Sequence, residues 1–395
     1  MKDWILHGIS ALEFLRTPPC IRELEFPPKV LESLNRASPS YRERSNTPQL
    51  ILEIRHEIFR SLKGVSIPVH VLTDGIPRGA SPYAVWHTRS NDISDDDLEQ
   101  ISDNLYATSP RVALLHMARD CTPVQLAMVM MECCGLYATC PGTSRMQRAI
   151  SLLDTICGLP DTTRQLAAFY GLDGKPLAFT DNHGAPLPWS PCRTRDGTIS
   201  NLWKRPPLCS IEELAEFSKS LGPVHGAKTF RRALEMVVAG AASPLEAQAA
   251  LLMGINRKLG LEGLPPFQLN RRVKLSPSSA SAWGSPICVV DIGWFDEGSH
   301  TPSLCCEVEG AAFHGIALED SKGTQRDDSA RKTALRSMDI AVETITHSQI
   351  KNIERWDVLM DVLYRHLGIE RPERTKRFME QRVKLRKDLL EKPRL

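Results

Sequence analysis

Four acids in the second half of this 395-residue chain are the side chains best suited to chemistry: Glu246, Asp291, Glu307 and Glu309. Asp291 closes the apolar run Ile287-Cys-Val-Val-Asp, and Glu307 closes Leu304-Cys-Cys-Glu, with Glu309 two residues further on. Each run reads as a short strand that delivers a carboxylate at its end. Glu246 lies in Ser243-Pro-Leu-Glu, where a serine cap, a proline in the first turn and an acid near the helix dipole predict a helix start. Carboxylates from two strands and one helix make an oxygen-rich frame for a hard divalent cation, which activates water and offsets charge in hydrolysis. The expectation is a nuclease-like site. The competing reading is a set of solvated strand-end acids and one helix-dipole acid.

The elements that must position these acids alternate. After the two acid-bearing strands, Ser329 to Met338 has a helical pattern, Ala341-Val-Glu-Thr-Ile reads as a strand, and a helix runs around Trp356 to Leu367. That order predicts an α/β module over residues 240–370. Upstream, residues 50–63 read as helix, and Val65 to Leu72 and Tyr83 to His87 as strands around the turn-rich Asp74-Gly-Ile-Pro-Arg-Gly. Ser109-Pro and Thr122-Pro open helices, Ser210-Ile-Glu-Glu carries a capping pattern, and Gly226 to Val238 is amphipathic. Pro18-Pro19 and Pro27-Pro28 preclude a long helix in residues 1–45. The reading divides the chain into an α+β region (1–157), a linker or irregular segment rich in Gly, Pro, Asp and Thr (158–209), the acid-bearing domain with leading helices (210–370) and a basic tail (371–395).

Composition narrows the classes. With 42% hydrophobic and 24% charged residues the chain is an ordinary folded protein. A net charge of +2 means that any nucleic-acid surface must come from local clustering. Such a cluster exists: Arg371 to Arg394 holds ten Lys or Arg against four acids, and reads either as a phosphate-binding arm or as a solvated helix. Arg371, Lys376 and Arg377 are its leading candidates for DNA contact. No secretory signal pattern and no run of about 18 apolar residues occurs, so a cytoplasmic protein without a membrane partner is expected. None of the 11 cysteines forms a C-x-x-C pair, which favours buried free thiols over a zinc site. His87 and His116 have no evident partners and read as structural. No G-x-S-x-G, P-loop or H-E-x-x-H motif is present.

Taken in order, Ser243-Pro-Leu-Glu, Val290-Asp-Ile-Gly-Trp, Cys306-Glu-Val-Glu-Gly-Ala-Ala-Phe-His, Asp328-Ser-Ala-Arg and Leu335-Arg-Ser-Met-Asp-Ile resemble the restriction-endonuclease-like PD-(D/E)XK superfamily. More closely, they resemble the branch related to the very-short-patch repair endonuclease. Ala107-Thr-Ser-Pro-Arg and Val85-Trp-His also resemble landmarks of an abortive-infection antitoxin-like region. The resemblance implies a C-terminal mixed sheet flanked by helices, preceded by an α+β antitoxin-like region. It implies Mg²⁺, with Mn²⁺ as the alternative, held by Glu246, Asp291 and Glu307, with the Val308 carbonyl as a further ligand. Glu309 takes the place of the family's second acid, one methylene longer. His314, one residue displaced from the family histidine, would position or protonate the leaving group, or else be a surface loop residue.

Asp339 stands where the family usually has a glycine, and no lysine occupies the D/E-x-K position. Lys322, Arg326 and Arg331 would meet the scissile phosphate or the backbone, although Asp328 and Arg331 are also spaced for a surface ion pair. The implied function is a metal-dependent DNA endonuclease or nicking enzyme in phage defence or DNA repair. The alternative is a DNA-binding regulator or antitoxin with an inactive nuclease fold. Its partners would be DNA and either a cognate toxin or a second copy of the chain.

Overall fold

The computed structural model describes residues 4–38, 49–74, 81–89, 93–157, 178–180, 186–194, 197–309 and 325–390. The front of the chain builds a five-stranded mixed sheet from β1 (Trp4–Leu6), β2 (Val69–Thr73), β3 (Ala84–Thr88), β4 (Leu98–Ser102) and β5 (Leu105–Thr108), in the order β3-β2-β1-β5-β4. β2 and β3 answer the two expected strands. The others are three to five residues long, too short for a periodicity to emerge from sequence. Around the sheet, Pro19 and Pro28 each take the first position of a helix (Pro19–Glu23 and Pro28–Ala37), so the proline pairs cut the start into short helices. Thr122 caps the Pro123–Cys133 helix reciprocally with Gln125.

The expected irregular segment needs correction where it is described. β6 (Tyr137–Thr139) belongs to the front region, yet it pairs antiparallel with β10 (Ile199–Lys204), which pairs in turn with β9 (Ser190–Arg193). β7 (Ala178–Thr180) and β8 (Pro186–Pro188) form a separate antiparallel pair. The last turn of the Pro123–Cys133 helix gathers this chain: Leu208 N–H donates to Cys133 O, Gly240 N–H to Cys134 O, and Leu136 N–H to Ala241 O.

The C-terminal module is a four-stranded mixed sheet. β11 (Gln268–Lys274), β12 (Ile287–Phe295) and β13 (Pro302–Glu309) run as an antiparallel meander, and β14 (Ala341–Thr346) lies parallel to β13 beyond the Gln325–Arg336 helix. Arg271, Arg272 and Lys274 form a small basic cluster on β11. Asp339 occupies a left-handed turn, φ 60°, just before β14. A glycine would suit that backbone without strain, and aspartate is among the few other residues that tolerate it.

The two faces of this sheet pack differently. Leu269, Ile292, Trp294, Leu304 and Cys306 join a central core that continues through the Pro244–Met253 helix, the Pro123–Cys133 helix and the front sheet. Val273, Cys288, Val290 and Cys305 join an outer cluster with Ala334 and Leu335 of the Gln325–Arg336 helix. Because the central core runs unbroken from Trp4 to Leu389, the boundaries expected at 157 and 210 do not separate independent cores. The basic tail is likewise not a free arm: Lys376–Leu390 is a helix whose Arg382 and Arg386 are buried. Among the described residues no helix is long and apolar enough to cross a membrane.

Candidate functional site

β12 changes faces at Asp291. In a regular strand residues 288, 290, 292 and 294 share one side. Here Cys288 and Val290 enter the outer cluster, while Ile292 and Trp294 enter the central core. On β11 the matching point falls between the pairs Leu269↔Ile292 and Arg271↔Val290, at Asn270, whose φ of 49° is left-handed. The rotation leaves Asp291 half-buried between the two packings.

Asp291 is the acid that touches both of the other elements there. Asp291 adjoins the cross-strand pair Ile292↔Cys306, so it lies next to Glu307 across the sheet, and its Oδ2 accepts the Val308 N–H at 2.7 Å. That amide sits between Glu307 and Glu309 in sequence. Glu246 reaches in from its helix, where Ser243 Oγ accepts the Glu246 N–H at 3.2 Å in the expected cap. Glu246 Oε2 accepts the Ala242 N–H at 2.8 Å and the Asn270 amide at 2.6 Å. Burial, and then the charge of Asp291, push the Glu246 carboxyl up to about 7. The thiols of Cys288 and Cys305 are raised by burial and next by Glu307, with Asp291 contributing to both.

Two cations from the Gln325–Arg336 helix close the site. Arg331 forms an ion pair with Glu307, whose side chain is 1% exposed. Lys332 Nζ donates to Glu309 Oε1 at 2.6 Å and to Thr344 Oγ1 at 3.0 Å. Asp291 thus lies beside Glu307 across the sheet and within electrostatic reach of Glu246, but among the described residues no three of these carboxylates gather closely enough to form a ready ligand set, and Arg331 is engaged by an acid of the site itself. Lys332 was missed by the motif because it lies 23 residues beyond Glu309, on another element. Its only sequence cue is adjacency to Arg331.

The remaining expected residues divide. His314 and Lys322 lie outside the described residues, and Arg326 belongs to the Gln325–Arg336 helix. Arg371 is held by carboxylates, with Nη2 3.1 Å from Asp357 and 3.5 Å from Glu262 and Nη1 paired to Asp361, so a DNA phosphate would have to compete with three acids. Lys376 and Arg377 are exposed on the final helix. A protein-family model, a curated protein or a solved structure similar to this chain was not found in any of the three comparisons.

The donor set fits a hard cation. Every ligand candidate is an oxygen, the acids come from three elements, and mutual repulsion between Glu246 and Asp291 is what a divalent charge would relieve.

Proposed function

We propose that the C-terminal module is a restriction-endonuclease-like fold carrying a Mg²⁺-dependent phosphodiesterase site for DNA. The observation that carries the reading is that Asp291, at the point where β12 rotates, interacts with Glu246 and lies across the sheet from Glu307, with Lys332 held beside Glu309. The mixed sheet flanked by helices supports it as the architecture that the sequence resemblance implies. Mg²⁺, or Mn²⁺ in its place, would be held by Glu246, Asp291 and Glu307 with the Val308 carbonyl, and when bound would activate water and neutralise charge on phosphate oxygens. Asn270 orients Glu246, and the Val308 amide orients Asp291. Lys332 places a positive charge beside the acids, suited to the charge that grows on a phosphate in the transition state.

The experiment is cleavage of supercoiled plasmid with Mg²⁺ or Mn²⁺ by the intact chain, Asp291→Ala, Glu307→Ala and Lys332→Ala. Metal-dependent nicking or linearisation, abolished in the two acid variants and reduced at least 100-fold in Lys332→Ala, is expected. The second reading is a DNA-binding regulator, favoured by the Arg331–Glu307 ion pair, which sets a protein cation against one of the metal ligands. Salt-sensitive DNA binding without cleavage, unchanged in all three variants, would establish that reading instead.

A further inference from the structure

A second constellation lies in the front region, away from the carboxylates. His7 forms the turn between β1 and the Gly8–Leu15 helix, His70 lies on β2 and His87 on β3. The parallel register pairs His70 with Val85 and Leu72 with His87, and the His7 backbone N–H donates to His70 O at 3.2 Å. Three segments distant in sequence therefore present imidazoles to one point. Their ligand nitrogens all lie within 4.8 Å of one another.

The spacing suits an ion, and His7 is not accounted for by hydrogen bonds. His70 Nδ1 and His87 Nε2 are 3.2 Å apart, within reach of a mutual hydrogen bond and equally of one shared cation. Two nitrogens on one tetrahedral zinc stand about 3.4 Å apart, given Zn–N distances near 2.0–2.1 Å. His7 is 8% exposed, and neither of its ring nitrogens has a hydrogen-bond partner among the described residues. Leaving a buried polar atom unsatisfied costs about 1–3 kcal/mol, and a metal ion bound through one ring nitrogen of His7 would remove one such cost. His116 closes the cluster, its ring centroid 5.1 Å from that of His7, and its buried Nδ1 also lacks a partner among the described residues.

We propose that His7, His70 and His87 bind a divalent transition-metal ion of the zinc class, with His116 packed against the site. The all-imidazole donor set distinguishes it from the carboxylate site, which suits Mg²⁺. β3 is an edge strand, and the ion would fasten it to β2 and to the end of β1. The site neither requires nor implies the nuclease reading.

The test uses the full chain carrying an affinity tag without histidine. Expected results are about one equivalent of zinc per chain by mass spectrometry of the metal, and, after chelation and reloading with Co²⁺, visible absorption bands of low-symmetry coordination. His70→Ala and His87→Gln should lower Co²⁺ affinity at least tenfold, while Asp291→Asn and Glu307→Gln leave it unchanged. X-ray absorption at the zinc edge of the unmutated chain should show imidazole scattering from at least three ligands, which decides the matter even if a histidine variant fails to fold. No uptake of either metal by the intact chain, or uptake lost in the acid variants instead, overturns the site.

Discussion

Asn270 donates a 2.6 Å hydrogen bond to Glu246 Oε2 from a backbone position with φ of 49°. The same amide donates to Gly240 O at 2.9 Å, so one side chain links a β11 irregularity, the acid and the segment held by the Pro123–Cys133 helix. Replacing it should separate conformation from hydrogen bonding. Asn270→Gly keeps the left-handed backbone and loses both bonds, with an expected loss of about 1 kcal/mol in urea unfolding. Asn270→Val adds the strain of a branched side chain at positive φ and should cost about 2–3 kcal/mol. Equal losses in the two variants would show that the backbone conformation is immaterial.

The Arg331–Glu307 pair sets a different expectation. Glu307 is buried, so removing the guanidinium leaves a carboxylate with its principal charge partner gone. Arg331→Gln should lose about 3 kcal/mol of stability in chelator. A cation bound to the folded state restores stability by mass action, so millimolar Mg²⁺ should raise the melting temperature of this variant more than that of the unmutated chain. The same rise in both proteins would disconnect Arg331 from the cation site.

Acid sensitivity should come from the far side of the module. Arg382, 1% exposed, lies 2.7 Å from Glu262 Oε1 and also pairs with Asp357, which Arg371 and Arg374 share. Burial alone would raise the Asp357 carboxyl, but the hydrogen bond and charge of Arg382, and then the charges of Arg374 and Arg371, outweigh it and hold the group below its usual value. A depressed carboxyl contributes stability that is complete above its unfolded pKa of about 3.9 and fades as pH falls through the folded value. Asp357→Asn should therefore be less stable at pH 7 and show a flatter loss of stability below about pH 4. Parallel pH profiles for the two proteins would remove Asp357 from the acid transition.

The acids were legible because strand-end carboxylates and a Ser-Pro cap are local patterns, and Ser243, Asp291 and Glu307 each carry theirs within four or five residues. Lys332 and Asn270 were not, since each meets its acid through the packing of separate elements. His7, His70 and His87 are spread over 81 positions with no spacing rule, and they meet through the register of β2 on β3 and the His7 N–H bond to His70 O. The strand at Gln268–Lys274 was hidden because its exposed face is basic and its apolar residues are few.

Asp339 offers a check on the turn before β14. Asp339→Gly removes the Cβ from a left-handed position and should leave stability unchanged or slightly higher, whereas Asp339→Val should lower it by about 1–2 kcal/mol, read as melting temperature. A valine variant as stable as the aspartate would contradict the assigned turn.

The pairing of β6 with β10 means that continuity of the main chain between Cys157 and Ala178 is not what joins the two halves of this molecule. Strand hydrogen bonds and the shared core hold them across that interval. Two separately translated fragments, 1–177 and 178–395, should consequently recognise one another and reconstitute a single folded body. The chain is thus a natural candidate for a split protein whose assembly reports that two fused partners have met.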